Sequence, residues 1–308
     1  MKESPKTAPS AAHGRRFAEG LLHWNATAND RPMPWKGETD PYRIWLSEII
    51  LQQTRVEQGW AYYERFVAAF PTIQHLAAAP EQSVFKLWEG LGYYSRCRNL
   101  IATAKHITEK YGGNFPQEYD DILALKGVGP YTAAAIASFA YNAPHAVLDG
   151  NVFRVLSRIL NCALPIDSTE GKKFFAQKAQ ELLPEGKARA YNQALMDFGA
   201  TVCKPLPACA ACFFQEECAA FRHGRQGELP VKAKKTAVRE RWFQYVLLQH
   251  GNLVALHPRG PGDVWESLWE PLLYEGGREQ EKAALLQALH EEYGIAAGDY
   301  EVVSAAAK

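Results

Sequence analysis

The chain has 308 residues, 47% hydrophobic and 22% charged, which suits a globular protein with room for two domains. Thirty-four Lys and Arg balance thirty-four Asp and Glu. Composition therefore does not announce a nucleic-acid binder, and any polyanion affinity must come from a local basic face. The polar stretch Met1–Arg16 lacks the apolar core of a secretory signal, and the longest near-apolar run, Tyr131 to Tyr141, is too short to cross a membrane. Residues 1–15 read as a disordered tail.

From residue 16 to about 224 the pattern is helical, punctuated by Pro and Gly into ten or eleven helices. Asp40-Pro41 opens one of them well, Asp as N-cap and Pro at the first helical position. On that helix Ile44, Trp45 and Gln52 share a face with Glu48. A carboxyl set between Ile44 and Trp45 is poorly solvated and tends to keep its proton, as a general acid must. Taken alone, Glu48 would read as a surface glutamate.

Further on, Leu125-Lys126-Gly127-Val128-Gly129-Pro130-Tyr131-Thr132 reads as a glycine hairpin leading into a helix. Its exposed N–H groups and the helix dipole suit a phosphate oxygen and would grip a backbone without reading sequence. Asp149 then caps a helix over Asn151–Leu160, and the N–H bonds it accepts should hold it ionised. Glu48 and Asp149 would thus occupy opposite environments, one protonated and one charged.

Cys203, Cys209, Cys212 and Cys218 close the helical part, separated by five, two and five residues. Four thiolates at such spacing suit tetrahedral zinc or a four-iron cluster, and spacing alone does not separate the two. Cys97 and Cys162 read as small buried residues. Residues 225–241 read as a basic linker, equally a phosphate contact or a solvated connector. From residue 242 the texture becomes α+β. Phe243–Leu248 and Leu253–Leu256 read as strands around a His250-Gly251-Asn252 turn, and Gln280–Tyr293 as a helix ending at Gly294.

These residues carry a resemblance. Arg31-Pro32-Met33-Pro34-Trp35, the run Trp45 to Val56, Trp88 to Arg96, the hairpin, Leu148-Asp149-Gly150-Asn151-Val152 and the four cysteines together resemble the helix-hairpin-helix DNA glycosylases with iron–sulfur clusters. Among them the adenine DNA glycosylases of the MutY type are most similar. The resemblance runs continuously over about Phe17–Cys218 and more loosely from Lys232 on.

It implies a mainly α, two-lobed helix-hairpin-helix glycosylase fold (residues 16–224) with a 4Fe-4S loop at 203–218. A partial α+β Nudix-like domain at 242–308 would follow. Glu48 would protonate the adenine, Asp149 would stabilise or capture the oxocarbenium-like sugar, and Asn151 would help place water or sugar. Tyr131 falls where endonuclease III-type relatives place a Schiff-base lysine, so lyase activity should be weak or absent. Arg31, Trp35 and Asp197 would form the adenine pocket and its rim. Gln53 and Thr54 would touch the opposite base, Tyr93 or Leu91 would wedge into the duplex, and Gly127 and Gly129 would grip backbone.

The implied cofactor is a 4Fe-4S cluster rather than zinc, although the family usually has six residues between the first two cysteines where this chain has five. The implied partner is double-stranded DNA with an extruded adenine opposite 8-oxoguanine or G. The protein would act as a cytoplasmic, bacterial-type monomer, nucleoid-associated when on DNA, with no membrane partner. Glu279, Glu291 and Glu292 echo a Nudix box, but Gln287 and Ala288 stand where it wants Arg and Glu, so nucleotide hydrolysis is not expected. The alternatives are an endonuclease III-like bifunctional glycosylase/lyase, a non-catalytic DNA-binding relative, and a Nudix hydrolase with a helical appendage.

Overall fold

The computed structural model describes residues 11–233, 240–260, 262, 265–266, 268–278, 281–296 and 298–302. The chain divides after Lys235 into two compact units. Twelve α-helices are found among the described residues of the first: α1 (Ala11–Thr27), α2 (Pro41–Leu51), α3 (Val56–Ala69), α4 (Ile73–Ala78), α5 (Glu81–Trp88), α6 (Tyr94–Tyr111), α7 (Tyr119–Leu123), α8 (Pro130–Tyr141), α9 (Gly150–Ile159), α10 (Thr169–Glu181), α11 (Ala188–Thr201) and α12 (Ala219–Arg222). The short α7 and α12 account for the excess over the expected number, since one helical turn leaves little periodicity to read.

Two hydrophobic cores make this unit two-lobed. One gathers residues of α2 to α8, including the fully buried Trp45, Phe66 and Trp88. The other joins α1 to α9, α10 and α11 through Phe17, Leu21, Val155, Phe175 and Phe198. Each such buried side chain contributes about 2–3 kcal/mol relative to exposure. Helix α8 packs on α2 within its own lobe and α11 on α9 within the other, and the lobes meet where α8 packs on α11, which sets α2 with Glu48 and α9 with its cap Asp149 on either side of that seam.

Two boundaries differ from expectation. Helix α1 starts at Ala11, inside the stretch read as a tail, while residues 1–10 lie outside the described residues. His13 meets Phe214 edge-on and Arg16 bonds Glu217 at 2.8 Å, so the cysteine loop anchors this first turn. The start of the expected linker is also docked. Leu229 is buried, Ile166 N–H donates to the Val231 carbonyl, and Ala233 N–H donates to Asp167. Residues 234–239 lie outside the described residues.

Among its described residues the second unit carries three antiparallel strand pairs. β1 (Trp242–Val246) pairs with β6 (Leu272–Gly276), β2 (Gln249–His250) with β3 (Leu253–Val254), and β4 (His257–Pro258) with β5 (Trp269–Glu270). The expected hairpin exists only as the short β2–β3 pair. β1 instead takes a partner strand well beyond its neighbours in the chain (Trp242 opposite Gly276, Val246 opposite Leu272), a pairing that no local turn signals. Helix α13 (Lys282–Tyr293) ends at Gly294 in the left-handed region, as expected. Its packing core is small: Leu272, Tyr274 and Leu289.

Candidate active site

Helix α2 starts where Asp40 caps it, the carboxylate accepting Tyr42 N–H at 2.9 Å, worth about 1 kcal/mol. Ile44, Trp45, Leu46, Ile49 and Ile50 are buried around the helix and fix its rotation. Glu48 is thereby held 7% exposed. Burial pushes its carboxyl up to about 7, the Asp149 charge adds to the rise, and a hydrogen bond from Tyr131 opposes it. Tyr131 itself is raised well above the ordinary tyrosine value by burial, so its hydroxyl stays a neutral donor.

Asp149 is the N-cap of α9. One carboxylate oxygen accepts Val152 N–H at 2.7 Å and the other accepts Asn151 Nδ2 at 2.7 Å. The sequence suggested that these bonds would hold it firmly ionised. Burial outweighs them, and Asp149 too is raised from the ordinary aspartate value. The two carboxyls therefore differ in support rather than in direction. Asp149 has backbone and side-chain donors to hold its charge, whereas Glu48 has one tyrosine. Because they repel each other, the better-supported Asp149 ionises first and Glu48 keeps the shared tendency to stay protonated.

Both groups line one cleft, together with Arg31, Trp35, Ile44, Thr54, Tyr131, Asn151, Arg189 and Met196. Of the expected site residues, the structure thus gathers Glu48, Asp149, Tyr131, Asn151, Arg31, Trp35 and Thr54. Asp197 lies behind them, fully buried. It accepts from Arg31 Nη1 at 2.8 Å and Asn29 Nδ2 at 2.8 Å, with Lys36 Nζ at 3.6 Å. It orients the cationic rim rather than facing the cleft.

The hairpin between α7 and α8 turns at Gly127, whose φ of +80° suits glycine, and an added Cβ would sit 2.9 Å from Asn99. Gly129 caps α8 with open space beside it. Gln53 (φ +56°) and Tyr93 (φ +47°) both hold left-handed backbone, and Tyr93 is 59% exposed. Leu91 is a correction. It is 6% exposed and belongs to the core, because the positive-φ glycines 90 and 92 turn its side chain inward and leave Tyr93 at the tip.

Arg154 was not legible in advance. Its Nε donates to the Cys203 carbonyl at 2.8 Å, and its Nη2 donates to Asn151 Oδ1 at 2.8 Å and to the Gly199 carbonyl at 2.7 Å. A chain of bonds therefore runs from the first cysteine of the loop through Arg154 and Asn151 to Asp149. Gly199 permits it, since a Cβ there would come 2.7 Å from the Asn151 Cβ. The one sequence signal was position: Arg154 stands three residues after Asn151 on the helix that Asp149 caps.

Cys203, Cys209, Cys212 and Cys218 line one small cavity with Ile159, Phe198, Val202 and Phe214. Arg158 Nη1 lies 3.4 Å from Cys203 Sγ and also donates to the Lys204 carbonyl. Among the described residues no three His, Cys, Asp or Glu side chains are grouped to hold a metal ion. Burial and mutual repulsion raise Cys209, Cys212 and Cys218, Cys212 to about 11, so thiolates here call for a positively charged group between them. The donor set and its apolar walls fit an iron–sulfur cluster. No helix among the described residues is long and apolar enough to cross a membrane.

A hairpin between helices, a caged carboxyl and a capping aspartate on one cleft define a helix-hairpin-helix base-excision glycosylase site. Residues 46–185 match the HhH-GPD superfamily base excision DNA repair protein family. The adenine DNA glycosylase of Buchnera aphidicola (subspecies Baizongia pistaciae) is 34% identical over 255 residues, which is 82% of this chain and 72% of that one. That of Mus musculus is 38% identical over 223 residues, 69% of this chain and 43% of that one. A solved thermostable thymine-DNA glycosylase superposes with a TM-score of 0.63 at 29% identity, covering 69% of this chain and 98% of its own. The chain belongs to the adenine DNA glycosylase family.

Proposed function

We propose that the protein removes adenine mispaired with 8-oxoguanine or G from double-stranded DNA by hydrolysing the N-glycosidic bond. The supporting observation is that Glu48 and Asp149 face one cleft, one caged by apolar side chains and the other held by helix and amide donors. An extruded purine nucleoside between them would meet a proton donor at the base and a carboxylate at the sugar. Glu48 protonates the leaving adenine. Asp149 stabilises or captures the positively charged sugar, and Asn151 orients that aspartate and the incoming water. Tyr131 donates to Glu48 and sets its carboxyl rotation.

Arg31 and Trp35 form the base pocket, with Asp197 pinning Arg31. Gly127 and Gly129 offer N–H groups to a phosphate, Gln53 and Thr54 contact the opposite base, and Tyr93 is the wedge that assists extrusion. The four cysteines would hold a 4Fe-4S cluster, which when bound would tie the 204–222 loop to the end of α11 at Cys203 and leave bond cleavage to the carboxyls.

A base-release assay tests the reading. Adenine opposite 8-oxoguanine and opposite G should both be released, and borohydride should trap no protein–DNA adduct because Tyr131 supplies no amine. Intact binding with no base release would make the protein a non-catalytic relative, and an efficient adduct would make it a lyase.

A further inference from the structure

Arg96, on α6, is 8% exposed and lies outside the cleft. Its Nη1 donates to the carbonyls of Ile49 (3.0 Å), Ile50 (2.9 Å) and Gln52 (2.6 Å). Its Nη2 donates to those of Leu91 (3.3 Å) and Gly92 (3.4 Å), and Thr54 Oγ1 lies 3.5 Å from both nitrogens. The guanidinium carbon sits 5.5 Å from the Tyr93 ring centroid and 5.1 Å from that of Trp88. Among the described residues this charge meets carbonyl dipoles and aromatic faces and no carboxylate.

The two sets of carbonyls belong to different segments. Ile49, Ile50 and Gln52 are the unsatisfied end of α2, just beyond Glu48, and lead into Gln53 with its φ of +56°. Leu91 and Gly92 lead into Tyr93 with its φ of +47°. Non-glycine residues keep left-handed backbone only where the surroundings over-determine it. Among the described residues Arg96 is the one side chain bonded to both segments. Its planar fork of donors spans them, a reach that the compact ammonium of lysine lacks.

We propose that Arg96 is a positioning residue that locks the Gln52–Thr54 turn to the Tyr93 tip, so that contact with the base opposite adenine and insertion of the wedge occur as one event. This rests on the glycosylase reading above. A duplex whose opposite base seats the turn would, through one guanidinium, also seat Tyr93. A duplex whose opposite base does not fit would leave the wedge unsupported. Opposite-base identity and extrusion would then be linked without any contact between Arg96 and DNA.

The test measures single-turnover release from adenine opposite 8-oxoguanine and from an unpaired, bulged adenine, for native protein, Arg96→Lys, Tyr93→Ala and the double variant. A 2-aminopurine beside the target adenine reports unstacking. Arg96→Lys should lose about 30-fold on the paired duplex together with the fluorescence rise, yet stay within about threefold on the bulge, where little unstacking remains to assist. In the Tyr93→Ala background the same substitution should change the paired rate less than about twofold, the mark of residues acting as a unit. Equal losses on both substrates, or losses that multiply in the double variant, overturn the proposal. Should Arg96→Lys not fold, Arg96→Gln carries the same comparison. Absence of release by native protein from either substrate would refute the glycosylase reading itself.

Discussion

The two lobes of the helical unit present their carboxyls by opposite means. The α2–α8 lobe holds Glu48 by exclusion, with Ile44 and Trp45 beside it and a single hydrogen bond from Tyr131. The lobe built on α1, α9, α10 and α11 holds Asp149 by donation from the first turn of α9 and from Asn151. Each carboxyl is accordingly vulnerable at a different place. Glu48 depends on the packing of apolar side chains around it. Asp149 depends on a bond chain that continues through Arg154 to the cysteine loop.

Glu48→Gln is the sharpest break in that contrast. It removes the proton and leaves the packing, so single-turnover base release should fall about a thousandfold, within the range for a lost general acid. Arg154→Gln attacks the other lobe without touching either carboxyl. Freed from Arg154, Asn151 orients Asp149 poorly, and release should fall about tenfold or more, since small misplacements near reacting groups are expensive. A rate within twofold of native would show that the chain of bonds carries no function.

Stability should sharpen the contrast by its sign. Glu48 is raised in the folded state, so the native protein binds its proton more tightly than the unfolded chain does. Its contribution is fully present below the ordinary carboxyl value and is lost as pH rises through about 7. Glu48→Gln should accordingly raise stability at neutral pH by about 1–3 kcal/mol, an advantage that vanishes in acid. Asp149→Ala leaves the Val152 N–H and the Asn151 amide without an acceptor, and should lower stability by about 1 kcal/mol. Thermal melts across pH check both signs, and a destabilised Glu48→Gln at neutral pH contradicts the picture of a caged acid.

The smallest effect concerns the second unit. Its core of Leu272, Tyr274 and Leu289 is slight beside the two cores of the helical unit. A chain ending at Ala233 should melt within a few degrees of the full chain and release adenine opposite G within about tenfold of it, because deleting an independently packed unit leaves the cleft intact. Loss of the helical fold on truncation would show instead that the units are interdependent.

What the sequence made legible was local. Asp40-Pro41 marked the start of α2, the Glu48 face followed from helical spacing, and Asp149 announced itself as a cap. Side chains bonded across long separations were silent: Arg96 to carbonyls more than forty residues earlier, Arg154 to the Cys203 carbonyl, and β1 to β6. Arginine inside an amphipathic helix looks like any solvated charge until the fold brings orphaned carbonyls to it. Leu91 misled for a related reason. Its position beside Tyr93 in the chain was visible, but the direction imposed by two left-handed glycines was not.

The pH dependence of single-turnover adenine release, compared between native protein and Glu48→Gln, addresses the two-carboxyl site most directly. The native rate should fall as pH rises through about 7, with the Glu48→Gln rate low and flat across the same range. A Glu48→Gln protein that releases adenine at the native rate, with the same fall above neutrality, would contradict the assignment of the proton to this side chain.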